Sequence, residues 1–154
     1  MSAYRNGREA VRGTGARRRG RGRACALPLW RTREPGRIGR GAVTDIARAV
    51  GSTAILHERR WGAAKDGDAA AAAAMAIDRL RRHGPVGPIV DLVMGNLVVL
   101  AKRDGDPTAP VIIAHALRAL ARREADGGRL ADLAEAWAGP SRRERSRAGH
   151  GRRA

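Results

Sequence analysis

Phenylalanine is absent from this 154-residue chain, tyrosine occurs once, and lysine is reduced to Lys65 and Lys102 against 29 arginines. A core must then be filled mainly by Leu, Val, Ile and Ala, without most of the rings that bury the largest areas. The lone cysteine, Cys25, excludes an internal disulfide and with it a disulfide-stapled secreted scaffold. Long apolar runs are missing too. The richest stretch, residues 86–101, falls short of the roughly 20 residues a membrane span needs. It also carries Asp91, and a charge at a helix centre is costly to insert. No membrane role is expected. The apolar segment Ala24–Trp30 is too short for a secretory signal and contains Pro28, so the expected location is cytoplasmic.

Residues for chemistry are equally sparse. His57, His83, His115 and His150 stand far apart, without the paired spacing of metal ligands. The aspartates of 66–68 and 104–106 sit in loops too short for a calcium loop. No Gly-rich loop precedes the Lys that a phosphate cradle uses. Asp91 and Asn96, within the apolar stretch, are the suggestive polar residues. Their plain reading is a hydrogen bond to a neighbouring helix, and His115 reads as a boundary or core histidine. Together these features predict no enzymatic activity, no cofactor and no metal.

What is plentiful is Arg, Ala and Gly, the residues a GC-rich coding sequence supplies by default, so the arginine count alone is weak evidence of function. Its placement says more. Residues 1–42 carry a net +10, residues 43–138 only +1, and residues 139–154 a net +5. The two ends lack any sustained apolar period and are rich in Gly, Pro and Arg, a composition that predicts disorder. The first end also fits a stretch lying outside the working protein, with Val43 opening the patterned region.

Between the ends the apolar spacing is helical. Thr44 is expected to cap a first helix carrying Ile46 and Val50. Asp68 caps a second that runs through the alanines Ala69–Ala74 to Gly84–Pro85. "PIVDLVMGNLVVLA", residues 88–101, is apolar nearly all round and marks a central helix. Thr108 is expected to cap a fourth, bearing Ile113, Leu117 and Leu120. Leu130, Leu133, Ala134 and Trp137 share one face of a fifth. The fold expected is an all-α bundle of four to five short helices over residues 43–138, flanked by disordered basic tails at 1–42 and 139–154.

"TDIARAVGSTAILHERRW", residues 44–61, resembles the first half of a helix-turn-helix, with Ile46, Ala47, Val50 and Gly51 in its places. The second half departs: Ser52, His57 and Arg60 stand where that motif buries apolar side chains. "RLADLAEAWAGPSRRERSR" starts similarly, but Pro140 and the charged run that follows favour a terminal amphipathic helix. "RRRGRGR" and "RRERSR" supply arginines able to neutralise phosphates without reading sequence. The candidate nucleic-acid contacts are Arg17, Arg18, Arg19, Arg21, Arg23, Arg59, Arg60, Arg142 and Arg143. Two functions follow: a small basic helical protein binding nucleic acid as a regulator, or a helical protein-interaction module, self-associating or binding another protein, with incidental basic tails.

Overall fold

Six consecutive alanines entered from an aspartate should make a helix, and they do. In the computed structural model, which describes residues 26–139, the Asp68 carboxylate accepts the backbone N–H of Ala71 at 2.9 Å and opens a helix over Ala69–His83. That cap satisfies one of the donors a helix start leaves free. The chain turns out of the helix at Gly84, whose φ of 73° is a conformation L side chains rarely adopt.

Six α-helices make up the bundle, and no strand occurs among the described residues. They are α1 (Arg40–Gly51), α2 (Arg60–Lys65), α3 (Ala69–His83), α4 (Pro88–Val99), α5 (Thr108–Ala121) and α6 (Gly128–Ala138). A wider π-type turn, Leu100–Asp104, extends α4. The all-helical bundle expected from the sequence is therefore present. Its added member, α2, has six residues and no apolar period long enough to read.

Helix α4 is the hub, packed by α1, α3, α5 and the segment before α1. Every residue from Leu92 to Val99 is buried, Asn96 included. Gly95 is what lets the surroundings close in, since a Cβ there would stand 3.1 Å from Leu27 Cδ2 and 3.2 Å from Ile46 Cγ2. The Asn96 amide donates to the Ala64 carbonyl at 2.9 Å, tying α4 to α2 with its buried donor satisfied. On the other side α5 and α6 pair, and Leu117 and Leu120 of one and Leu130 and Leu133 of the other are buried.

The folded unit begins before Val43. Residues 26–42, expected to be disordered, contain the 3-10 turns Leu27–Arg31 and Pro35–Arg37 and the start of α1. Trp30 is fully buried, and Ala26 and Ile38 are buried with it. Short 3-10 turns leave no 3.6-residue period, and one indole can anchor a segment whose average composition is polar. Residues 1–25 and 140–154 lie outside the described residues.

Two caps also differ from expectation. Thr44 lies inside α1, where its hydroxyl donates to the Arg40 carbonyl at 3.0 Å. Thr108 is the first residue of α5, and the cap is the Asp106 carboxylate, which accepts the N–H groups of Thr108 and Ala109.

Candidate interaction surface

Most large apolar side chains of this unit are inside, which makes the exceptions informative. Leu56, Ile77, Val86, Ile89 and Val111 are exposed, by 81, 46, 60, 38 and 61%. They come from the connection after α1, the second half of α3, the α3–α4 turn, the first turn of α4 and the first turn of α5. Single exposed apolar residues need no explanation, so the question is which of these share a depression.

Two open grooves hold four of the five. The first, about 560 Å³, runs between α3 and α5. Ile77 and Arg81 stand on the α3 side, Val111, His115 and Arg122 on the α5 side, over a floor that includes Leu80 and Ile112. Spacing of four residues on a helix keeps these walls on one face. Arg123 lies over Gly84 at one end, close enough that a Cβ at that glycine would meet its guanidinium at 2.8 Å. The second, about 580 Å³, is bounded by Leu27, Ile55, Leu56, Arg79, Ile89 and Leu92. Val86 is exposed in the turn between α3 and α4.

Charge around the first groove is of one sign. Arg81, Arg122 and Arg123 line it and no carboxylate does. None of these three arginines has a carboxylate within ion-pair distance among the described residues, unlike Arg82, which meets Asp78 at 2.9 Å. His115, expected at the boundary or in the core, is exposed at the groove wall.

Of the arginines proposed from the sequence, Arg17, Arg18, Arg19, Arg21, Arg23, Arg142 and Arg143 lie outside the described residues. Arg59 is exposed just before α2. Arg60 is ion-paired with Glu58 at 3.2 Å and Asp78 at 3.5 Å, so its charge ties α2 to α3. The segment 44–61 also departs from helix-turn-helix geometry. Eight residues, 52–59, separate α1 from α2, where that motif uses a turn of about three or four residues. The Trp61 indole N–H closes the connection by donating to the Thr53 carbonyl at 2.8 Å. Ile46 and Val50 serve the core.

Asp91 is tied up as well. It accepts from the Trp30 indole at 2.9 Å and from two nitrogens of Arg31 at 3.0 and 2.9 Å. No group of three His, Cys, Asp or Glu side chains among the described residues is arranged to hold a metal ion. Nor is any described helix long and apolar enough to cross a membrane. Comparison with family models, curated proteins and solved structures found no match to this chain.

Proposed function

We propose that the protein works by binding and not by catalysis, with its helical unit serving as a protein-interaction module in the cytoplasm. What supports this is the placement of Ile77 and Val111 on facing walls of one open groove, exposed while Leu80 and Ile112 form its floor. Two carboxylates of α3 and α4 have structural partners: Asp91 is engaged by Trp30 and Arg31, and Asp78 by Arg60 and Arg82.

Nucleic-acid binding through the arginine-rich ends is the second reading, favoured by the net +10 of residues 1–42 and +5 of residues 139–154. Such binding would be non-specific and steeply salt-dependent, with a log–log slope of about −0.9 per phosphate neutralised. The full chain should be compared with a variant in which Arg17, Arg18, Arg19, Arg21, Arg23, Arg142 and Arg143 are alanine. Under the module reading, protein binding is unchanged in that variant. A chain that binds duplex tightly, and loses both duplex and protein binding in the variant, belongs to the second reading.

A further inference from the structure

Resting on the module reading, we propose that the groove between α3 and α5 receives an acidic amphipathic helix of another protein. Shape, apolar content and charge each limit the occupant.

The walls are two helices, and exposed side chains recur at helical intervals: Ile77 and Arg81 on α3, Val111 and His115 on α5, with Arg122 just past its end. A third helix laid in such a groove inserts side chains at i, i+3, i+4 and i+7, the usual helix-in-groove arrangement. From Val111 to Arg122 at about 1.5 Å per residue, the wall is roughly 16 Å long, which accommodates about three turns.

Polarity changes along it. Ile77 and Val111 offer apolar contact, while Arg122 and Arg123 gather toward the C-terminal end of α5, with Arg81 on the facing wall. The negative end of the α5 dipole lies beside Arg122, yet no side-chain carboxylate lines the groove. An occupant with apolar residues on one face and Glu or Asp flanking them would meet both requirements, and the charges would steer its approach. A second copy of this chain brings +16 and the same arginine rim, and the chain's own ends are strongly basic, so an acidic foreign segment is the complementary choice.

The test uses the full chain and a labelled helical peptide of about 14 residues, long enough for three turns. Leu occupies the i, i+3, i+4, i+7 positions and Glu the flanks, and a scrambled peptide of the same composition is the control. Fluorescence anisotropy at low salt should show the patterned peptide binding at least roughly tenfold more tightly than the scrambled one, with the preference reduced by added salt. Val111→Glu and Arg122→Glu, both at exposed positions, should each weaken binding about tenfold or more while the helical circular dichroism signal is retained. Equal affinity for the two peptides, or no binding, overturns the groove proposal. If Leu56→Glu abolishes the preference and Val111→Glu does not, the module reading stands and this groove is the wrong face. If peptide binding is lost only in the seven-arginine variant, both fall. Loss of duplex binding with Val111→Glu or Arg122→Glu, without loss of peptide binding, would make the surface a nucleic-acid contact and overturn the proposal.

Discussion

The Trp30 indole N–H donates to Asp91 Oδ1 at 2.9 Å, joining the segment before α1 to the first turn of α4 across 61 residues of sequence. Arg31 reinforces the joint with a two-point contact to the same carboxylate. From the other side, the Trp137 indole donates to the Trp30 carbonyl at 3.1 Å. Trp30 is thus held by its ring, its side-chain donor and its backbone acceptor, and it links both termini of the described unit to the central helix.

Trp30→Ala should destabilise the protein by about 3–5 kcal/mol, the usual cost of deleting a buried aromatic side chain. Asp91→Ala should cost about 1–3 kcal/mol, because it leaves the indole donor buried without a partner. Urea unfolding of both variants measures these values. A chain started at Val43 lacks Trp30 and should show a loss at least as large; unchanged stability would place residues 26–42 outside the working fold.

The pH response of the Arg31 contact has a definite sign. Its hydrogen bond to Asp91 raises the guanidinium pKa, helped by the nearby charges of Asp91 and Glu124 and opposed by burial. A raised pKa gives stability that is fully present below the ordinary guanidinium range and lost only as pH climbs through the folded value. Between about pH 6 and 9 the arginine stays charged, so the midpoint difference between wild type and Arg31→Gln should be flat. Because the side chain is 38% exposed, solvent screening limits that difference to about 1 kcal/mol or less. A difference that grows with pH inside this window would contradict the assignment.

Leu97→Asp should unfold the bundle. Leu97 is 1% exposed on α4, and an aspartate there would be buried without a cation among Val, Met and Leu neighbours. Circular dichroism should show loss of helix at ambient temperature. Retention of the wild-type midpoint would contradict the central position of α4.

The helices that the sequence announced are those with a long period and a cap. Asp68 before an alanine run, the apolar residues 88–101, and the face Leu130, Leu133, Ala134 and Trp137 all carry local signals strong enough to read. Residues 26–38 were illegible because 3-10 turns carry no helical period and their one large anchor, Trp30, is stabilised by partners 61 and 107 residues away. Helix α2 was hidden for a related reason: Trp61 and Ala64 pack against tertiary neighbours, and six residues make too short a pattern. The groove was beyond reach as well. Ile77 and Val111 look like core residues in a helical pattern, and only the packed structure shows that they stay uncovered.

The turn between α5 and α6 gives a paired prediction at adjacent glycines. Gly127 has a φ of −75°, so its backbone would accept any residue. Space is the constraint. A Cβ there would run into the Ala121 carbonyl oxygen and stand 2.9 Å from the carbonyl carbon, both backbone atoms at the end of α5. Relief requires moving one helix end against the other, in a closely contacting pair whose Leu117, Leu120, Leu130 and Leu133 are buried. Gly127→Ala should therefore destabilise by about 1–3 kcal/mol, the range for overpacking a closed site. Gly128 is the first residue of α6, and its added Cβ would come no nearer than 4.0 Å, to the Asp126 carboxylate. Gly128→Ala should be neutral or stabilising by up to about 1 kcal/mol, through the lower entropy of the unfolded chain. Chemical unfolding of the two variants side by side distinguishes backbone collision from a general effect of losing glycine in the turn. Equal destabilisation at both positions would show that the α5–α6 connection is not packed as described.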